Sequence, residues 1–390
     1  MSDLDRLRLA RTEGVGPVTY RRLLRRYPDP ATAIAALPAL ARAGGRATAP
    51  PVPSAGSAER EFDRIARLGG RLLFVDRPDY PPCLALLDDA PPVLAVLGQV
   101  AALRGRAVAL VGSRNASANG QRLAELLAQE LAQEGIVVVS GLARGIDAAA
   151  HEGALRSGLT VAAVAGGVDV PYPPEHARLQ ARIAAEGAVV GELPLGTQPQ
   201  ARHFPRRNRI IAGLALGVVV VEAAIRSGSL ITARLAQEAN RELFAVPGSP
   251  LDPRCRGAND LIRNGAHLVE GAADVLANLP DHPAREGLAR VPLFARPLPP
   301  PAGLPEPPSY WPQGGPEGGK QGGREDGDGA RARGVLLQLL GPAPTSVDDL
   351  ARRCQLSAAT VNSALMDLEL AGRVAALPGN RFALIGEAGP

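Results

Sequence analysis

The sequence predicts an α/β chain built on a doubly wound, mostly parallel sheet, with a small all-α domain before it and a winged helix after it. Three observations carry this. Between about 58 and 280, short β-branched runs alternate with helix-length amphipathic segments, as parallel strands covered on both faces require. Residues 4–43 have a loosely helical apolar period, and residues 331–387 read as three helices and a hairpin. The expected domains are 1–57 (helical, with a linker), 58–280 (the sheet), 281–330 (a Pro/Gly-rich linker) and 331–390 (winged helix).

In the first domain, Glu13-Gly14-Val15-Gly16-Pro17-Val18-Thr19 reads as a Gly-x-Gly hairpin that starts a helix at Pro17 or after it. Such a helix-hairpin-helix, or SAM-like, unit holds a phosphate on its hairpin amides. Arg21, Arg22, Arg25 and Arg26 follow, either beside that phosphate or as a solvated face. Residues 44–57, rich in Gly, Pro, Ser and Ala, read as a linker.

Nine strands are expected, at 72–75, 93–97, 107–111, 136–139, 160–164, 188–190, 218–221, 243–246 and 267–269. Ligands of such sheets bind where loops leave the carboxyl ends of the strands. Those loops carry Gly112, Ser113 and Arg114, then Ser140, Gly141, Arg144 and Gly145, then Gly167. Glycines let backbone amides close on an anion, and the arginines add charge. Taken singly, each loop is also an ordinary tight turn; taken together at one sheet edge they suggest a phosphate-binding rim.

The stretch 203–232 concentrates this chemistry. Phe204 and Pro205 precede Arg206, Arg207, Asn208 and Arg209, and a buried strand then leads to Ser227, Gly228 and Ser229 at the start of a helix. An aromatic ring, guanidinium groups and unpaired helix amides suit a nucleic-acid backbone with splayed bases. The bland alternative is a solvated basic helix face beside a buried strand.

Residues 291–330 are almost half Pro and Gly, a composition that does not fold; Tyr310 and Trp311 read as a chance pair within it. Beyond, a helix near 332–340 precedes two more capped by Ser346 and Ser357. A hairpin around Pro378-Gly379-Asn380 completes a winged helix. The third helix has Asp367 and Glu369 and no basic residue before Arg373, a poor reader of duplex DNA.

Composition narrows the function. The formal charge is +4 with a pI near 9.3, which permits an anionic partner. Lys320 is the only lysine, so nearly all positive charge is arginine, which binds phosphate in a bidentate fork and stacks on bases. Neither GxGxxG after a strand nor GxxxxGK[ST] is present, which argues against NAD, FAD or ATP. Cys83, Cys255 and Cys354 form no CxxC pair, so neither a metal nor a disulfide framework is expected. No apolar run approaches a membrane span and the N-terminus lacks a signal core, so a cytoplasmic protein without a cofactor is expected.

The ordered motifs Gly112-Ser113-Arg114, SGLARGIDAAAH, GGVDVPYP, FPRRNRIIAGL, VVVEA, SGSLITA, RELFAVPGSP and GANDLIRNGA resemble the DNA-processing protein A (DprA, or Smf) family over most of residues 60–280. The resemblance implies an extended Rossmann fold that binds single-stranded DNA, forms homodimers and loads the recombinase RecA in natural transformation, without being an enzyme. Carried over, Arg114 and the FPRRNR segment would contact phosphates and Phe204 would stack on a base. Two departures stand out: His176 replaces a frequent Asn, and residues 198–201 lack the lysines of some relatives. The alternative is a nucleotide-processing enzyme of the phosphoribohydrolase kind, for which Glu222 is the one obvious carboxylate; its plainer role is pairing with an arginine. His151 reads as a surface or packing histidine.

Overall fold

The computed structural model describes residues 3–43, 48–281, 325–341, 343–377 and 381–385. Their described residues form two compact units, Met1–Arg21 with Val52–Ala289, and Arg22–Pro51 with Arg290–Pro390.

The chain opens with α1 (Asp3–Ala10), α2 (Pro17–Arg26) and α3 (Pro30–Ala43). Pro17 is the first residue of α2, where its missing N–H costs nothing. The α2 arginines do not form one solvated face. Arg21 is buried and donates to the carbonyls of Ala85 and Leu87. Arg22 donates to Asn362 Oδ1 at 2.8 Å and lies over the Phe382 ring. Nor is 44–57 all linker: α4 (Ala55–Arg67) begins inside it, because the Ser54 hydroxyl accepts from the Ser57 amide and starts a helix.

All nine expected strands form: β1 (Gly70–Phe74), β2 (Val93–Gly98), β3 (Ala107–Val111), β4 (Val137–Ser140), β5 (Thr160–Ala163), β6 (Ala188–Gly191), β7 (Gly217–Val220), β8 (Glu242–Ala245) and β9 (His267–Leu268). The order is β1-β2-β6-β5-β4-β3-β7-β8-β9. Only β2 runs antiparallel to its neighbours β1 and β6; the remaining pairs are parallel. Strands β4 to β7 are buried along their whole length, which is why they read as unbroken apolar runs.

Helices α5 (Pro82–Ala85), α6 (Ala118–Gln133), α7 (Ile146–Ala154), α8 (Ala177–Glu186), α9 (His203–Leu214), α10 (Gly228–Glu238), α11 (Arg256–Arg263) and α12 (Ala272–Asn278) complete this unit. Ala124, Leu127, Ala128 and Leu131 of α6 follow the i, i+3, i+4, i+7 pattern and are buried against Val108, Val138 and Ala150. A second cluster joins Ile65, Phe74, Val93, Ala162, Ile183 and Val189.

His151 on α7 is fully buried, so it is a packing histidine. Its Nδ1 lies 2.7 Å from the Thr160 hydroxyl, which itself donates to Val138 O; Nδ1 therefore carries the proton. Burial, reinforced by Arg207, lowers its pKa from 6.5 to about 3. The unfolded chain takes up a proton here that the folded chain refuses. Stability from this group is full above pH 6.5 and falls as pH drops toward about 3, by about 1.4 kcal/mol per pH unit. Urea unfolding at pH 7 and pH 5 should show a loss of about 2 kcal/mol from this source. His151→Gln should flatten that profile; an unchanged slope would mean other groups govern it.

In the second unit, α13 (Glu325–Leu339), β10 (Thr345–Ser346), α14 (Val347–Cys354), α15 (Ala358–Leu370), β11 (Val374–Leu377) and β12 (Arg381–Leu384) build a winged helix with strand order β10-β12-β11. Ser346 and Ser357 cap α14 and α15 by accepting from the amides of Asp349 and Thr360. Helix α13 starts at Glu325, inside the expected 281–330 linker; residues 282–324, with Tyr310 and Trp311, lie outside the described residues, as does the 378–380 turn. Helix α15 buries Val361, Leu365, Met366, Leu368 and Leu370, and Asp367 accepts from Arg333 at 2.9 Å. A helix buried around most of its circumference offers little face to a DNA groove.

Candidate nucleic-acid interface

Strand β3 is flanked by β4 on one side and β7 on the other, so the loops leaving β3 and β7 part and open a crevice at the switch point. A cleft of about 490 Å³ occupies it, lined among others by Ser113, Arg114, Phe204, Asn208, Arg226 and Ser227. Residues that the sequence places far apart, in the 112–114, 204–208 and 227–229 segments, meet here.

Helix α10 points its N-terminus at the cleft. Its cap, Ser227, accepts from the Ser229 amide at 3.3 Å, and the two hydroxyls are 2.6 Å apart. Gly228 is open to solvent: an added Cβ would meet nothing within 4 Å. First-turn amides and two hydroxyls can therefore take an anion. The N-terminus of α6 is already filled. Glu222 accepts from the Ser117 amide at 2.9 Å and from the Ser117 hydroxyl. The expectation that Glu222 pairs with an arginine is thus corrected: helix amides stabilise a carboxylate as well. This capping role ties up the carboxylate on which the nucleotide-enzyme alternative depended.

Two guanidinium groups flank Phe204, with Arg114 Cζ 5.2 Å and Arg207 Cζ 5.9 Å from its ring centroid. Tyr172 adds a tilted ring contact at 5.7 Å. Phe204 is half-buried between them, at the junction of the cleft with a smaller pocket of about 160 Å³ walled by Val164, Ala165 and Tyr172. Arg114 and Arg226 are exposed and have no ion-pair partner among the described residues. Arg207 is only 6% exposed and donates to Ala163 O at 3.1 Å. Burial brings its pKa down to about 10, opposed by Asp147, so it remains charged at neutral pH. Asp147 is itself buried, which raises its carboxyl, while Arg207 pulls the other way. It accepts from the amides of Gly141 at 3.2 Å and Ala143 at 3.3 Å.

Two glycines are dictated by this packing. A Cβ on Gly141 would sit 1.6 Å from Arg207 Nη1, so only glycine lets the guanidinium lie against that backbone. Gly145 has φ +74°, and a Cβ there would sit 2.3 Å from Ser113 O. His176, the departure from the family pattern, serves the same loop: its Nδ1 lies 2.9 Å from the carbonyl of Leu142, whose φ is +59°.

Other expected site residues are placed elsewhere. Ser140 is wholly buried and donates to Leu110 O at 2.7 Å. Gly167 is buried, its amide bonded to Thr197 O. Arg209 is held by Glu192, at 2.8 and 3.0 Å, and by Asp89 O. Arg144 is exposed on the rim of the smaller pocket but ion-paired with Glu175. Arg206 is exposed but lines a neighbouring groove. Conversely, Tyr172, Arg226 and Asp147 belong to the site without being marked by the sequence pattern. Tyr172 had a signal, the scarcity of aromatics at 3%.

Among the described residues, no group of three or more His, Cys, Asp or Glu could hold a metal ion, and no helix is long and apolar enough to cross a membrane.

Residues 71–280 match the family described as DNA recombination-mediator protein A. Residues 1–63 match its DprA-like N-terminal HHH domain, and 324–380 the DprA winged helix domain. Protein Smf of Escherichia coli (strain K12) is 41% identical over 310 residues, which cover 79% of this chain and 76% of that protein. DNA processing protein DprA of Streptococcus pneumoniae is 48% identical over 199 residues, 51% of this chain and 70% of that protein. The X-ray structure of the S. pneumoniae protein aligns with a TM-score of 0.56 at 43% identity, covering 59% of this chain and 80% of that one. On the family match across the sheet and the relative that spans most of its length, this chain belongs to the DNA recombination-mediator protein A family.

Proposed function

We propose that this protein binds single-stranded DNA in the switch-point cleft, protects incoming strands and loads RecA onto them during natural transformation, acting in the cytoplasm as a homodimer and without catalysis. The observation that carries the binding step is the setting of Phe204, a ring flanked by Arg114, Arg207 and Tyr172 beside the open N-terminus of α10. Phosphates fit the helix amides and the unpaired arginines; an unstacked base fits the aromatic pair. A duplex keeps its base faces stacked, so the aromatic contact favours a single strand. The RecA and homodimer steps rest on family membership.

Fluorescence anisotropy of labelled oligo-dT and of the matching duplex, over a salt series, tests this. Tight binding to the single strand, weakening steeply as salt rises, is expected. Equal affinity for the duplex would remove the role of the aromatic pair. With binding in hand, RecA filament formation on strands coated with single-strand-binding protein tests loading.

A further inference from the structure

Three arginines line the smaller pocket, and each is in a different state. Arg114 is exposed and has no ion-pair partner among the described residues. Arg207 is buried beside Asp147. Arg144 is exposed, yet its Nε already donates to Oε1 of Glu175. None of the described residues that line the pocket is acidic. Glu175 stands just outside, next to Pro174 of the pocket wall, and takes a donor that a phosphate at the rim would need.

The local structure holds this pair at the pocket mouth. Leu142, at φ +59°, and Gly145, at φ +74°, shape the loop that carries Arg144. The His176 ring donates from Nδ1 to Leu142 O at 2.9 Å, so the segment that carries Glu175 is tied to that loop independently of the ion pair. Opening the pair therefore leaves the loop anchored. Hydrogen bonding from Arg144 holds the Glu175 carboxyl below its ordinary range, which makes it a full negative charge at neutral pH. The two side chains are 66% and 46% exposed, and an ion pair so placed is weakly held. A phosphodiester offers the guanidinium the same pair of anionic oxygens that a carboxylate does, so the two can exchange on Arg144.

We infer that Glu175 competes with the strand: a backbone phosphate displaces its carboxylate from Arg144 as a base enters the smaller pocket, so Glu175 sets how tightly this rim holds DNA. It acts through Arg144, as a positioning residue. This rests on the proposed binding of single-stranded DNA in the cleft.

The test is anisotropy of labelled dT20 with the full chain over a salt series, in wild type, Glu175→Gln, Arg144→Ala and Glu152→Gln. Glu175 and Arg144 are exposed, so their removal orphans no buried group. Glu175→Gln should tighten binding about two- to fivefold, the range of an exposed ion pair, and keep the wild-type salt slope. Arg144→Ala should weaken binding and lower that slope by about 0.7, the loss of one phosphate contact. Glu152→Gln removes the same charge from an ion pair with Arg182, outside the residues that line the pocket, and should change neither reading. Binding by Glu175→Gln that is no tighter than wild type overturns the inference, since the carboxylate would then brace the loop and not compete. A wild-type slope in Arg144→Ala does so too, because the guanidinium would remain on Glu175 in the complex. Equal tightening in Glu152→Gln would assign the gain to net charge and overturn it as well. If wild type fails to bind dT20 at all, the single-strand reading beneath it fails, an outcome distinct from the other three.

Discussion

Replacing Arg114 and Arg226 together with alanine should weaken single-strand binding at every sequence alike and flatten its salt dependence. Each lost phosphate contact removes about 0.7 from the slope of log K against log salt, so the pair should remove about 1.4. Both side chains are exposed on the cleft and unpaired among the described residues, so they can be removed without orphaning a buried group. Phe204→Ala should act differently, costing about 1–3 kcal/mol of stacking while leaving the slope nearly intact. Anisotropy titrations at several salt concentrations separate the two. A slope unchanged in the double variant would mean that the phosphates lie elsewhere.

Arg209→Leu should be strongly destabilising, although it lies in the same FPRRNR segment. The pair with Glu192 is buried, with side chains 7% and 14% exposed. Removing one partner of such a pair costs about 3–5 kcal/mol, because the other charge is left without compensation. Burial alone would raise the Glu192 carboxyl, but Arg209 outweighs it and holds the carboxyl below its ordinary range. Its stability contribution is therefore present above the ordinary carboxylate range and lost as pH falls through the lowered folded value. In Arg209→Leu the carboxyl has lost that hold and rises, so the deficit against wild type should narrow on acidification. Urea unfolding at pH 7 and pH 5 reads both effects. A double Arg209→Leu, Glu192→Leu variant should recover much of the loss; failure to recover would place the cost in packing instead of charge.

The arginines of α9 illustrate what the sequence could and could not reveal. All nine strands were legible as short apolar runs, and those buried on both faces, such as β3 and β7, must be apolar throughout. The site's loops were legible too, because a parallel sheet places every such loop at one edge. The direction of each arginine was not. Arg206, Arg207 and Arg209 sit within one turn of α9, where each residue is rotated by about 100° from the last. Arg206 therefore faces solvent, Arg207 the sheet and Arg209 the end of β6. What decides between phosphate contact and buried ion pair is Glu192, seventeen residues upstream of Arg209. A local cluster contains no such information. Ser140 fails for a related reason: it ends a strand, where alternation decides whether a hydroxyl faces the cleft or the interior.

The all-arginine cleft has a practical consequence. With Lys320 the only lysine, reagents that acylate amines have no side-chain target in the cleft or along α9, and enzymatic lysine acetylation cannot tune its charge. An amine-reactive dye would go to Lys320 and to the chain's α-amino group, leaving every arginine discussed above chemically untouched.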